Sequence, residues 1–232
     1  MSEPAMKIGI LQAGHAPEKL LETAGDYDDM FRQLLAGHGF SFVTYRVVDM
    51  EFPDQIDACD GWLITGSRHG VYEDHPFIPP LEALVRDAFA ADIPMVGICF
   101  GHQIIAQALG GKVEKFADGW AVGRQTYDWK GEPVALNAWH QDQVTVLPEG
   151  AQVLASNDFC AYAALVYGKR AWSVQPHPEY DAEFMEGLVR YRGPGVVPDA
   201  QMKQALARLD IPVDSPSVAA QIARFFKERI VA

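Results

Sequence analysis

The segment from Gly97 to Gly101 constrains the fold of this chain more than any other part of the sequence. It reads Gly-Ile-Cys-Phe-Gly and joins an apolar run, Ile93 to Ile98, to a run with helical spacing, His102 to Leu109. Glycines on both sides of one central residue are typical of a nucleophile elbow, the sharp strand-to-helix turn in which a Cβ would meet the neighbouring backbone. The segment therefore predicts a strand, a strained turn at Cys99 and a helix.

The residue at the centre of this predicted turn carries a thiol. At the N-terminus of the following helix, Cys99 would face the positive end of the helix dipole. That field favours the thiolate, which is the form that attacks a carbonyl carbon. The alternative is an inert buried cysteine between a core strand and its helix.

A cysteine nucleophile needs a base and a group that orients the base, and His177 and Glu179 are candidates for these roles. The run Ala171 to Gln175 predicts a strand, and a helix-like segment follows Tyr180, so both candidates lie at the strand's end. Residues i and i+2 of an extended segment point the same way, and the proline between them favours extended backbone at His177. A carboxylate there can hold the imidazole in one tautomer. A helix-capping Glu beside a surface His is the alternative.

Four segments give the chain a resemblance to the class I glutamine amidotransferases, the glutaminase module of guanylate synthetase, anthranilate synthase and carbamoyl phosphate synthetase. In the family's order they are Leu63 to Ser67, Gly97 to Gln103, Trp139 to Val144 and Gln175 to Tyr180. They span most of residues 6–192, and the resemblance is to a stand-alone domain similar to the glutaminase domain of guanylate synthetase. The resemblance implies a flavodoxin-like α/β fold, a three-layer sandwich whose mostly parallel central sheet is flanked by helices.

The resemblance also implies a mechanism for three residues. Cys99 would attack the side-chain amide of glutamine to form a γ-glutamyl thioester, His177 would pass a proton to the leaving ammonia, and Glu179 would orient His177. The backbone N–H groups it assigns to the oxyanion hole are those of Gly66, Ser67 and Phe100. Without the resemblance, Gly66 fits an ordinary turn equally well.

The same resemblance assigns substrate-binding residues to the helix after the nucleophile and to a family loop that holds the α-amino and α-carboxylate groups of glutamine. They are Gln103, Trp139, His140, Gln141 and Asp142. Without the resemblance Gln103 reads as a solvated helix residue. The sequence departs from the family at two places. Trp139 and Gln141 flank His140, where some members have Asn-His-Gly or Ser-His-Gly, and Pro176 stands before His177 in place of a more usual aromatic residue. Arg68 stands where many members have a small residue, so it either binds a second carboxylate of a γ-glutamyl peptide or is a solvated loop charge.

Charge and composition exclude several other classes of protein. The net charge of -12 argues against binding to nucleic acid or to anionic membrane surfaces. No apolar stretch has membrane-spanning length, and residues 1–4 lack the basic start of an export signal, so we expect a cytoplasmic protein. The three cysteines contain no C-x-x-C pair, which argues against a disulfide framework or a thiolate metal site.

Neither a metal nor a nucleotide cofactor is expected from the motifs. The seven histidines form no H-E-x-x-H pattern, and His15, His38, His69 and His75 fall in predicted loops or helix ends. Neither a P-loop nor a G-x-G-x-x-G fingerprint occurs. Activation of an ammonia acceptor would therefore need a partner protein.

The order of elements predicts an alternating α/β chain with a smaller addition. Strands are predicted at Lys7 to Leu11, Phe42 to Val48, Gly61 to Thr65 and Met95 to Ile98, with helices at Tyr27 to Leu35, Pro80 to Ala90 and His102 to Leu109. Such alternation gives a parallel sheet with catalytic groups at its carboxyl edge. Between residues 112 and 175, short runs at Val144 to Leu147, Gln152 to Ala155 and Ala161 to Tyr167 predict a partly antiparallel addition.

We expect one amidotransferase-like domain over residues 1–192 and a C-terminal helical extension over residues 193–232 that packs on the same domain. The extension contains two amphipathic stretches, Asp199 to Leu209 and Ser217 to Val231. Covering the core, forming a dimer face and docking a partner are the three roles open to it. The oligomeric state is left open.

Three functions remain at this point. The first is a glutaminase that releases ammonia from glutamine for a partner synthase subunit. The second is a stand-alone hydrolase or peptidase that acts on a small γ-glutamyl compound. The third is a non-catalytic binding module that keeps the fold.

Overall fold

A nine-stranded sheet lies at the centre of the computed structural model, which describes residues 5–231. The strands are β1 (Met6–Leu11), β2 (Phe40–Tyr45), β3 (Gly61–Ile64), β4 (Met95–Ile98), β5 (Lys112–Lys115), β6 (Ala121–Trp129), β7 (Glu132–His140), β8 (Asp142–Val146), β9 (Gln152–Ser156), β10 (Ala164–Tyr167) and β11 (Ala171–Val174). The helices are α1 (Glu18–Ala24), α2 (Tyr27–Leu34), α3 (Ile78–Ala90), α4 (Phe100–Ala108), α5 (Ala182–Tyr191), α6 (Asp199–Leu206) and α7 (Ser215–Glu228).

The strand order in the large sheet is β2-β1-β3-β4-β11-β10-β9-β6-β7. The first five of these strands run parallel, and the remaining neighbours pair antiparallel. Strands β5 and β8 form a separate antiparallel pair. The α/β fold with a parallel sheet and an antiparallel addition is therefore confirmed, and the carboxyl ends of β3, β4 and β11 meet at one edge.

Alternating side chains of the buried strands build a core on each face of the sheet. On β3, Trp62 and Ile64 pack into the cluster that holds α3 and α4, whereas Leu63 packs into the cluster that holds α2 and α7. Each large apolar side chain buried in this way contributes about 1.5–3 kcal/mol to stability. The result is three layers, with helices on both faces of the sheet.

The last helix belongs to this core. Phe225 and Phe226 of α7 are fully buried in the same cluster as Ile8 and Ile10 of β1. A Cβ on Gly61 of β3 would lie 2.9 Å from the Phe226 ring, which shows how closely α7 approaches the sheet. The boundary between a domain and an extension at residue 193 stays a prediction, and residues 1–4 and 232 lie outside the described residues.

Several predicted boundaries were wrong, and strand pairing explains two of them. Strand β2 covers Phe40–Tyr45 rather than residues 42–48 because its parallel register with β1 ends at Tyr45, and a 3₁₀ turn follows. The segment at residues 139–144 is not one loop, because Trp139 and His140 pair with β6 as the end of β7. Helix α4 begins at Phe100, two residues before the prediction, because Cys99 is its N-cap. Helix α1 and strands β5, β6 and β7 were not predicted individually.

Within residues 5–231, every helix falls short of the length and apolar character that a bilayer span requires.

Candidate active site

The turn between β4 and α4 has the strained geometry expected of a nucleophile elbow. Cys99 has φ 53° and ψ −102°, a region that non-glycine residues adopt only at a cost of about 1–3 kcal/mol. A Cβ on Gly97 would lie 2.3 Å from the carbonyl oxygen of Gly101, and a Cβ on Gly101 would lie 2.3 Å from that of Ile64. Only glycine fits at either position, so these two residues permit the turn that places Cys99 between β4 and α4.

Backbone hydrogen bonds hold this strained turn in place. The Cys99 N–H donates to the Val174 carbonyl at the end of β11 over 2.9 Å, and the Gly101 N–H donates to the Thr65 carbonyl just after β3 over 3.2 Å. Two neighbouring strands therefore fix the thiol at the carboxyl edge of the parallel sheet. The Cys99 side chain is buried, as are those of Cys59 and Cys160, and all three thiols are free.

His177 and Glu179 form a buried pair beside this turn. Nδ1 of His177 lies 2.7 Å from Oε1 of Glu179, and the two residues are only 2% and 9% exposed. Burial lowers the pKa of His177, but the negative charges of Glu179 and of the Cys99 thiolate outweigh it and raise that pKa. Because Glu179 occupies Nδ1, Nε2 is the ring nitrogen left for Cys99. The arrangement favours the imidazolium form of His177.

Two further contacts fix the imidazole. The Tyr180 ring stacks on the His177 ring with centroids 3.9 Å apart and an interplanar angle of 5°. The His177 backbone N–H donates to the Asn137 carbonyl of β7 over 2.8 Å. Tyr180 was not predicted as a site residue, although its position directly after Glu179 was a signal for it. The ring therefore has little freedom to rotate or tilt.

Three unused backbone donors surround the thiol. A Cβ on Gly66 would lie 3.0 Å from Cε1 of His177 and 3.8 Å from Cβ of Cys99, so only a glycine backbone approaches this closely. The N–H groups of Gly66 and Ser67 donate to no acceptor within residues 5–231. Phe100 is the first residue of α4, where an N–H has no intrahelical partner. These donors can stabilise a developing oxyanion.

A cavity of about 390 Å³ opens in front of the thiol. The predicted site residues on its wall are Ser67, Cys99, Gln103, Trp139, His140, Gln141, Asp142 and His177. Phe100, Gly66 and Glu179 are not part of the wall and lie behind it. The structure thus brings segments from β3, β4, β7 and β11 to one cavity.

Gln103 is not the solvated helix residue that was the alternative interpretation of the sequence. Its side chain is buried, and its Nε2 donates to the Asp142 carbonyl over 2.9 Å and to Oε1 of Gln175 over 3.1 Å. These bonds use both amide protons and leave the Gln103 carbonyl for a ligand. Gln103 therefore also holds the turn between β7 and β8 against α4.

Burial shifts the pKa values of His140 and Asp142 in opposite directions. Burial, followed by the nearby charge of His177, lowers the pKa of His140 to about 3, so this ring is neutral at pH 7. Burial raises the pKa of Asp142, whose Oδ1 accepts a hydrogen bond of 3.0 Å from the Tyr72 hydroxyl. The Gln141 amide points away from this pair, because its Nε2 donates to the Phe116 carbonyl over 3.2 Å.

Most other residues on the wall were not predicted as site residues. They are Tyr27, His69, Gly70, Tyr72, Glu73, Lys115, Trp120, Tyr180, Arg192 and Val196, together with Arg68, which was a candidate from the sequence. Arg192 donates to the His15 carbonyl over 2.8 Å and to the Tyr27 hydroxyl over 3.4 Å. Arg68, Lys115 and Arg192 give the wall three cations, which suits a substrate that carries carboxylates.

Comparison with known proteins identifies the class to which this fold and site belong. The family described as "Glutamine amidotransferase class-I" matches residues 25–187. The chain belongs to the class I glutamine amidotransferase family, which confirms the resemblance seen in the sequence.

Individual relatives carry two different names. Gamma-glutamyl peptidase 3 of Arabidopsis thaliana is 30% identical, over 81% of this chain and 82% of its own length. One subunit of the glutamine-hydrolyzing GMP synthase of Methanocaldococcus jannaschii is 37% identical, over 75% of this chain and 96% of its own length. The crystal structure of a glutamine amido transferase from Methylobacillus flagellatus superposes with a TM-score of 0.73 at 23% identity, covering 98% of this chain and 94% of that one, and confirms the fold.

Proposed function

We propose that this protein cleaves the γ-amide of glutamine through a covalent thioester on Cys99 and releases ammonia for a partner synthase. The observation that carries the proposal is the buried His177–Glu179 pair, joined over 2.7 Å, beside a strained thiol on the wall of a cavity. The relative that is named as part of a glutamine-hydrolyzing GMP synthase supports the choice of glutamine and of a synthase partner. The activity requires all three side chains.

The chemistry proceeds in two acyl-transfer steps. The Cys99 thiolate attacks the γ-carbonyl carbon, and the N–H groups around Gly66 and Phe100 stabilise the resulting oxyanion, each by about 3–4 kcal/mol. The protonated His177 gives its proton to the amide nitrogen, the C–N bond breaks and ammonia leaves. His177 then takes a proton from water, which attacks the thioester, and glutamate leaves as the thiolate re-forms.

A second candidate is a γ-glutamyl hydrolase or peptidase, and the cavity wall favours it. A volume of about 390 Å³ lies in the range of pockets that hold drug-sized ligands. Arg68 lies on this wall, where a guanidinium can bind the carboxylate of a residue attached to the γ-glutamyl group. A relative named as a γ-glutamyl peptidase supports the same choice.

The nucleophile is tested with a diazo-ketone analogue of glutamine, followed by intact-mass analysis and peptide mapping. We expect one adduct per chain on Cys99, blocked by excess glutamine, and none in Cys99→Ser. Cys59→Ser is the matched control, because that thiol is equally buried but lies away from the cavity, and it should label like the wild type. Labelling that survives in Cys99→Ser, or a Cys99 that reacts with no thiol reagent in the folded protein, would refute the proposal.

The donor is tested by comparing kcat/KM for glutamine and for γ-glutamylglycine. If the protein is a peptidase, Arg68→Ala should raise KM for γ-glutamylglycine about tenfold or more, since a hydrogen bond to a charged group contributes about 1.5–3 kcal/mol. Arg68→Lys keeps the charge, and Arg86→Ala removes an arginine that forms a surface ion pair with Glu82; both should change KM less. A preference for glutamine, with turnover that rises on addition of a synthase, selects the amidotransferase.

A further inference from the structure

A second cluster of chemically active side chains lies on the loop between β3 and α3. The metal-ligating atoms of His69, Glu73 and His75 all lie within 4.8 Å of one another. Oε2 of Glu73 is 2.9 Å from Nε2 of His75 and 3.6 Å from Nδ1 of His69. Tetrahedral zinc with bonds of about 2.1 Å places its ligand atoms about 3.4 Å apart. The two distances to Glu73 lie on either side of that value, so small side-chain movements would admit an ion.

The loop holds these side chains in place before any ion binds. The rings of His69 and His75 have centroids 4.0 Å apart. The buried Phe77 ring packs against both, with centroid distances of 5.9 Å. Nε2 of Gln107 on α4 donates to the Val71 carbonyl over 2.8 Å, which ties the middle of the loop to the helix that follows the nucleophile. A site of this kind needs little reorganisation on binding.

We propose that His69, Glu73 and His75 bind one divalent transition-metal ion of the Zn²⁺ class. Two imidazoles and one carboxylate form the ligand set of open zinc sites, in which water or another ligand takes the fourth position. No local pattern indicated this site, since the spacing His-x3-Glu-x-His matches no standard zinc motif and no metal was expected. Only the turn of the loop brings the second histidine back to the first. His69 and Glu73 also line the cavity, so the ion lies at its rim.

The proposal is independent of the activity, and it is tested by binding of the metal alone. Full-length protein stripped with a chelator is titrated with Zn²⁺ by calorimetry, both as wild type and as Cys99→Ala. The Cys99→Ala variant removes a thiolate that, with His177, could bind zinc inside the active site. We expect one ion per chain in both proteins. Co²⁺ should give visible absorption bands typical of four- or five-coordinate ligation by nitrogen and oxygen.

Variants of the loop assign the ligands. In the Cys99→Ala background, His75→Ala and Glu73→Gln should each weaken Zn²⁺ binding more than about tenfold, since even outer-shell changes cost 10–100-fold. His38→Ala removes a histidine outside the cluster and should leave the affinity unchanged. Thermal unfolding of the ion-free variants shows whether each is folded, and Glu73 is exposed, so its replacement leaves the packing intact. Absence of stoichiometric binding, or binding that both loop variants retain, would overturn the proposal.

Discussion

Replacing Glu179 by Gln removes one negative charge from beside His177 and leaves the volume of the side chain almost unchanged. In the wild type, the charges of Glu179 and of the Cys99 thiolate raise the pKa of His177 against the effect of its burial. The variant therefore lowers the pKa of His177. It should reduce the fraction of enzyme in which His177 is an imidazolium at alkaline pH.

The size of the effect follows from the distance. Nδ1 of His177 and Oε1 of Glu179 are 2.7 Å apart, so the centres of the imidazolium and carboxylate charges are about 4 Å apart. At an effective dielectric constant of about 20 this distance gives an attraction of about 4 kcal/mol. The amide oxygen of Gln still accepts a hydrogen bond from Nδ1, which returns about 0.5–1.5 kcal/mol. The remaining loss of about 3 kcal/mol is a factor of about a hundred, and we expect this decrease in kcat/KM toward the alkaline end of the pH range, where the variant loses its imidazolium first.

The assay is kcat/KM for glutamine and γ-glutamylglycine between pH 5 and 10, with the rate of Cys99 alkylation measured in parallel. In the proposed reaction the imidazolium is the proton donor, so activity should fall as pH rises through the pKa of His177. Because Glu179→Gln lowers that pKa, the alkaline limb of the profile should move to lower pH. Glu149→Gln changes an exposed carboxylate away from the cavity and should match the wild type. A decrease of less than about threefold with an unmoved alkaline limb would refute the assigned role of Glu179.

Three other changes test the packing and electrostatics of the site. Gly101→Ala places a Cβ 2.3 Å from a backbone oxygen at the end of β3, and it should lower the free energy of unfolding in urea by about 1–3 kcal/mol or more and abolish turnover. Tyr180→Leu removes the ring stacked on His177 and should lower kcat/KM about three- to tenfold, whereas Tyr180→Phe should keep most of it. Burial lowers the pKa of His102 to about 3, below the value near 6.5 of an unfolded chain. The contribution of the neutral His102 ring to stability is therefore complete above about pH 6.5 and is lost as pH falls toward 3. Between pH 6 and 4, His102→Gln should therefore reduce the slope of the free energy of unfolding against pH by about 1.4 kcal/mol per pH unit.

Each of these predictions has a control. Gly150→Ala has open space for its Cβ and only a positive φ of 78° to accommodate, so it should cost about 1–2 kcal/mol and keep activity. Turnover that survives in Gly101→Ala would contradict the role of the close contact. Equal activity in Tyr180→Leu and Tyr180→Phe would contradict stacking as the cause. Gln55→Ala changes an exposed residue that has no titratable group and should leave the pH dependence of stability unchanged, whereas an unchanged slope in His102→Gln would show that this ring is charged in the folded protein.

Local patterns in the sequence were sufficient for the framework of the site. Gly97 is required by the turn itself, since a Cβ there would lie 2.3 Å from the carbonyl oxygen of Gly101. The two-residue spacing of His177 and Glu179 places their side chains on one side of an extended segment, and the structure joins them over 2.7 Å. These features depend on neighbours in sequence, which is why they could be predicted without a fold.

The elements that were missed lack such local signals. Helix α1 is short and starts after Pro17, which offers no side-chain cap. The boundaries of β2 depend on its register with β1, and the position of Trp139 depends on the hairpin that β7 forms with β6. Pairing with another strand sets the boundaries of β2 and the position of Trp139, so spacing within each segment did not reveal them.

The family, the alternating α/β order and the three residues to which we assign catalysis could all be inferred from the amino-acid sequence. What surrounds those three residues depends on the folded chain. Tyr27 and Arg192 reach the cavity from helices far apart in the chain, and the turn of one loop brings His69 and His75 together. The physical reason is that turn sterics and strand alternation act over a few residues, whereas a cavity wall forms from whichever strands and loops end at the same edge of the sheet.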